Sequence, residues 1–431
     1  MQSLWARQAL TAEGWQSDVQ VRIGSDGRIA AVEPDRRPAP DACRVGLLLP
    51  ALANLHSHAF QHAMAGLGEG RSAGVGDSFW TWRETMYRFV RAVDPDLLEA
   101  IAGWLYLRML ESGFASVGEF HYLHHQPDGR PYDNPAEMCQ RLAAAASETG
   151  IGLTLLPVLY RQGGADGRPL SAAQARFGCD PALYERLHAG AADTLRSLPA
   201  DAVLGVAPHS LRAVSPDDLH WCAELAVRAP VHMHVAEQLA EVEQVRDSLG
   251  AAPLTWLLNE AGLDARWCLV HCTRSSEAEL QQLAGTGAVV GLCPGTEANL
   301  GDGLFPAETW TLAGGWFGIG TDSNLRPSVF EELRLLEYGQ RLRDHRRAVL
   351  ASVTQGPGRL LWDRAGAGGA RALGRGSGRI AVGGWADLLA IGTEAVSLVG
   401  LTDDARLDAL VFAEEPGLVR DVWSAGRHVV K

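Results

Sequence analysis

The chain has 431 residues, 47% hydrophobic and 21% charged, which suits one large folded core with an appendage, or two domains. A net charge of −13 argues against nucleic acid or an anionic membrane as partner, so an anionic substrate must find its positive charge locally. Seven scattered cysteines without a CxxC pair, no apolar leader and no long apolar run predict a reduced, cytoplasmic protein without disulfides or membrane span. The only lysine is Lys431, so no chemistry can rely on a lysine within the chain.

The first predicted element is a hairpin, "DVQVRIGSDGRIAAVEP" (18–34), which alternates with period two around Ser-Asp-Gly. Eight short β-rich runs follow, at 51–58, 115–122, 151–160, 202–210, 229–237, 267–273, 288–295 and 316–324, with helical stretches between them. One such helix is framed by Asp94 as N-cap, Pro95 at the first position and Gly113 as stop. Eight alternating strands and helices predict a (β/α)8 barrel, with an open doubly wound sheet as the alternative. Near the end, 378–392 and 420–430 are again short strands with Gly-centred turns. Both termini should therefore build one small β-sandwich, with the Gly/Ala/Arg-rich stretch 363–378 as the crossing. The expected division is 1–49 and 376–431 for the sandwich and 50–375 for the barrel.

The polar residues of the eight runs collect at their C-terminal ends, the face where such barrels carry active sites. His56 and His58 end the first run, His121 and Tyr122 the second, His209 the fourth, "HMHVAE" the fifth, His271 the sixth and Asp322 the last. In a strand, residues two apart share a face, so His56 and His58 can meet at one point. Three neutral imidazoles and a carboxylate suit one Zn²⁺ ion, or alternatively Fe²⁺, with a position left for water. The ligand set is His56, His58, His234 and Asp322. His234 is preferred over His232 because Glu237 lies three residues beyond it, within reach of the bound water.

"NLHSH", "HVAE", "LVHC" and "GIGTDSN" resemble the amidohydrolase superfamily in its mononuclear deaminase branch, in order across the whole barrel. Relatives that hold two metals through a carboxylated lysine are excluded by the missing lysine; a pair bridged by Glu119 is the remaining binuclear option. "NLHSHAFQHAMAGL", "FWTWRETMYRF", "EFHYLHH", "PHSLRAV" and "GTDSN" resemble the formimidoylglutamate deiminase family more narrowly, apart from His62, where that family commonly has arginine. This resemblance implies hydrolysis of N-formimino-L-glutamate to N-formyl-L-glutamate and ammonia in histidine degradation. It implies Asp322 as ligand and base, Glu237 as proton shuttle and His271 as stabiliser of the tetrahedral intermediate.

A small dicarboxylate substrate calls for bidentate cations, and Arg83 and Arg212 are the candidates. Gln61, Tyr122 and His209 would add hydrogen bonds. Phe79, Trp82 and Phe89 are expected to pack their helix on the barrel. A deaminase of purines, pterins or S-adenosyl compounds is the rival reading; it would have no use for two arginines. A homodimer is the expected assembly.

Overall fold

The computed structural model describes residues 2–69 and 79–431. Four strands open the chain: β1 (Gln2–Thr11), β2 (Gly14–Ile23), β3 (Ile29–Glu33) and β4 (Cys43–Pro50). The barrel strands are β5 (Leu52–Ser57), β6 (Phe114–His121), β7 (Gly152–Leu159), β8 (Val203–Leu204), β9 (Ala207–Pro208), β10 (Val231–Val235), β11 (Trp267–His271), β12 (Val289–Leu292) and β13 (Trp316–Ile319). Three more close the chain: β14 (Leu388–Ile391), β15 (Val419–Ser424) and β16 (Arg427–Val430).

Every residue of β5, β6 and β7 is buried, as expected of parallel strands covered on both faces. They pair in the order β10-β11-β12-β13-β5-β6-β7-β8, with β9 also on β7. A parallel bridge between Val206 and Val231 joins the two ends, so the barrel is closed. The predicted fourth strand is broken into β8 and β9. The break falls at Gly205, where a Cβ would come within 2.6 Å of the Pro230 carbonyl.

The helix Pro95–Glu111 starts as its sequence predicts, with the Asp94 carboxylate accepting from the Leu97 N–H at 2.8 Å. The stretch 363–378 differs from expectation. Most of it belongs to the helix Pro357–Ala372, and only its end is crossing. Its glycines serve close packing: a Cβ on Gly368 would lie 1.8 Å from the Phe317 carbonyl of β13. The end of this helix seals the N-terminal mouth of the barrel, where the Leu373 carbonyl accepts from Thr154.

Both termini contribute to a seven-stranded mixed sheet, β16-β15-β14-β4-β1-β2-β3. It curls over its own core of Leu4, Val19, Val21, Leu48, Leu388 and Trp423, and the Ile29 N–H of β3 donates to the Gly384 carbonyl in the loop before β14. Buried Arg375 ties sheet to barrel, bridging Asp201 at 2.9 Å and Asp387 at 3.2 Å. Arg427 of β16 adds a second hold on Asp201 at 2.7 Å and donates to the Gly150 carbonyl.

Candidate active site

His56 lies in β5 and His58 one residue past its end, and His234 near the end of β10 meets them across the barrel. The Nε2 of His56 lies 3.2 Å from that of His58 and 3.1 Å from that of His234. Asp322 Oδ1 lies 3.5 Å from His56 Nε2 and 3.2 Å from His58 Nε2. Ligand atoms about 2.0–2.1 Å from a tetrahedral ion stand roughly 3.3 Å apart, so these four residues fit a divalent cation. The Nδ1 atoms of His58 and His234 face the carbonyls of Phe120 and His209, at 2.8 and 3.2 Å. Carbonyls only accept, so each Nδ1 carries the hydrogen and each Nε2 turns its lone pair to the common point. Burial holds His56 down to about 3 and His234 well below the usual range. Burial pushes the Asp322 carboxyl up, but the His56 and His58 rings beside it outweigh this and hold it well below its usual range.

His232 is turned to the sealed end of the barrel, where its Nε2 meets the Ala372 carbonyl at 2.7 Å. Glu119 lies outside the four-residue group. Its carboxylate accepts from Ser57 Oγ at 2.8 Å, the Ala59 N–H at 2.6 Å and Tyr106 at 3.4 Å, so the bridging alternative finds no support. His62 Nδ1 is 2.6 Å from the Asn324 carbonyl.

Beside the histidines stand two more buried groups. Glu237 Oε1 is 3.9 Å from His271 Nε2, which is 3.7 Å from Asp322 Oδ2. His271 Nδ1 faces Glu297 at 3.2 Å, a partner that the sequence reading missed. Burial alone would discharge His271; the carboxylates of Glu237, Glu297 and Asp322 instead raise it to about 10. Burial pushes Glu237 up, against the pull of His271 and Arg212. Ala236, His271, Cys272, Asp322 and Asn324 all have φ between 50° and 72°, a conformation costing non-glycine residues about 1–3 kcal/mol each. Strain of this kind gathers where side chains must be aimed.

All five predicted substrate contacts line a single cavity with His58, His234 and Asp322 of the four-residue group. It holds about 570 Å³ of empty space including its mouth. Gln61 donates to the Tyr122 hydroxyl at 2.6 Å, while its Oε1 has no partner among the described residues. His209 packs on Tyr160, with ring centres 4.7 Å apart. Arg83 stacks on Trp80 at 4.3 Å, and Arg212 is buried with Nε unpartnered among the described residues. Burial pulls the Arg83 guanidinium below its usual range; burial acts likewise on Arg212, but Glu241 and Glu237 overcome it. Trp82 and Phe89 pack on the barrel core as expected, and Phe79 and Trp82 also line this cavity with Met86 and Tyr87. Tyr160 and Phe177 complete the wall. Tyr160 closes the third predicted run, so its position at a strand end was a legible signal.

The family model described as "Amidohydrolase family" matches residues 47–429, and that described as "Formimidoylglutamate deiminase HutF, N-terminal domain" matches residues 1–45. A formimidoylglutamate deiminase of Pseudomonas aeruginosa is 48% identical over 439 aligned residues, covering 100% of this chain and 95% of the relative. The chain belongs to the amidohydrolase family. A crystal structure of an amidohydrolase from Brucella melitensis is 46% identical, with a TM-score of 0.95 over 100% of this chain and 95% of that one. The fold is also shared with a zinc-bound adenosine deaminase from Xanthomonas campestris, 24% identical, at a TM-score of 0.81 over 99% and 92%. This amidohydrolase thus carries the hydrolase barrel that the family implies, with a His-His-His-Asp group at its mouth.

Proposed function

We propose that the protein hydrolyses N-formimino-L-glutamate to N-formyl-L-glutamate and ammonia, with one divalent ion, zinc by preference, held by His56, His58, His234 and Asp322. The observation that carries the substrate is the pair Arg83 and Arg212 in the wall of the cavity that the ligand group floors. An ion held there would lower the pKa of a bound water to about 7 and so make a nucleophile available at neutral pH. Asp322 takes the proton released as water oxygen bonds to the formimino carbon. Glu237 delivers a proton to the departing nitrogen, and His271, kept charged by its carboxylates, holds the oxygen of the tetrahedral intermediate. As the C–N bond breaks, the intermediate's O–H proton passes to Glu237 and the proton on Asp322 passes to the departing nitrogen, so ammonia leaves and both carboxyls are restored. Arg83 and Arg212 each hold one carboxylate, with Gln61, Tyr122 and His209 fixing the chain between them.

The seven free cysteines fit a reducing cytoplasm, and no helix among the described residues is long and apolar enough to cross a membrane. We expect a homodimer, which sedimentation at micromolar concentration would test. We assign the chemistry to 50–375 and its support to 1–49 and 376–431.

Ammonia release from formimino-glutamate, formimino-aspartate, guanine, adenosine and cytosine tests the substrate. Turnover confined to the formimino compounds is expected. Preference for any nucleobase would replace this reading with the deaminase one.

A further inference from the structure

Asp322 turns its two oxygens to different neighbours. Oδ1 faces His56 and His58, while Oδ2 faces His271 Nε2 at 3.7 Å. Near both residues stands Cys293, just past the end of β12. The ligand atoms of His271, Cys293 and Asp322 lie within 4.8 Å of one another, and all three residues are at most 5% exposed. His271 Nε2 is buried without a hydrogen-bond partner among the described residues; Asp322 Oδ2 and Glu237 Oε1, at 3.7 and 3.9 Å, are too far to serve. Its other nitrogen is engaged by Glu297, so a neutral ring would aim a free lone pair into this gap. Imidazole and thiolate ligands around a tetrahedral ion stand about 3.3–3.6 Å apart, so small side-chain shifts bring the three into range.

We propose that His271, Cys293 and Asp322 Oδ2 form a second, weaker site for a thiophilic divalent cation such as Zn²⁺ or Cd²⁺, and that filling it inhibits the enzyme. The thiolate selects soft ions over Mg²⁺ or Ca²⁺. Binding displaces the Cys293 thiol proton to solvent, and an ion on His271 Nε2 competes with the proton that this residue needs for catalysis. Inhibition follows from geometry: the ion engages His271 Nε2 and Asp322 Oδ2, two groups that the reaction uses. The proposal rests on the first-ion reading through the shared Asp322.

The test starts from full-length protein carrying one equivalent of zinc and titrates CdCl2 or ZnCl2. Equilibrium dialysis, the ultraviolet cadmium–thiolate band and ammonia release are followed together. Excess metal should add a second equivalent, raise the band and lower turnover roughly tenfold or more. Cys293→Ser and Cys293→Ala should keep turnover at one equivalent, lack the band, and need roughly tenfold more metal for equal inhibition. His271→Asn, scored only by metal binding and the band, should weaken the second equivalent even if a Cys293 variant fails to fold. Binding that stops at one equivalent overturns the proposal, as does a band or inhibition unchanged in the folded variants. Failure of the first equivalent or of turnover at one equivalent would strike the first-ion reading instead.

Discussion

At the scale of residues, proton transfer and charge recognition separate into different side chains. Glu237→Gln keeps size but cannot shuttle a proton, so kcat should fall by roughly 10² or more while metal content persists. Metal loss in that variant, read by elemental analysis, would make Glu237 a ligand. Arg83 and Arg212 should each cost about 2–5 kcal/mol when truncated, since a substrate carboxylate is left unpaired. Lysine should recover only part of this, lacking the planar fork. Esterifying one substrate carboxylate should abolish the penalty of its matching arginine, and full additivity for both pairs would remove the clamp. These residues were legible because they end strands or carry charge in an apolar stretch. Glu297 was not: its partner His271 is 26 residues away, and only the packing of β11 beside β12 brings them together.

At the scale of elements, the helix Pro357–Ala372 shows how far composition can mislead. Its run of glycines reads as a linker, because glycine is a poor helix former in isolation. Packing against β13 overrides that preference, and a small-residue face is the condition for the approach. Gly368→Ala should therefore destabilise by about 1–3 kcal/mol or more through the clash with Phe317, despite alanine's better helix propensity. Gly103, in the helix Pro95–Glu111, is the control: a Cβ there meets nothing within 4 Å. Gly103→Ala should stabilise by about 0.5–1 kcal/mol. Paired denaturant melts decide it, and two variants of equal sign would refute the packing account. The boundaries of Pro95–Glu111 were readable since they depend on local capping, whereas the broken fourth strand depends on a neighbour's backbone.

At the scale of the molecule, Asp201 is the junction between barrel and terminal sheet, held by Arg375 and Arg427. Burial would raise its carboxyl, yet the two arginines lower it. A folded pKa below the unfolded value of about 3.9 stabilises above that value, and the contribution is lost as pH falls through the folded pKa. Asp201→Asn should cost about 3–5 kcal/mol at neutral pH, leaving Arg375 buried beside Asp387 alone. That difference from the parent should shrink below about pH 4. A difference independent of pH would show that the junction works through shape and not charge. The same junction fixes the direction of the last strand. Arg427 docks at Gly150 and Asp201, next to the starts of β7 and β8, while the cavity opens at the opposite ends of the strands. Lys431, the single side-chain amine in the chain, follows that strand. A tether on the Lys431 side chain would thus hold the enzyme to a bead or sensor surface by its sealed end, with the mouth of the barrel facing the solution.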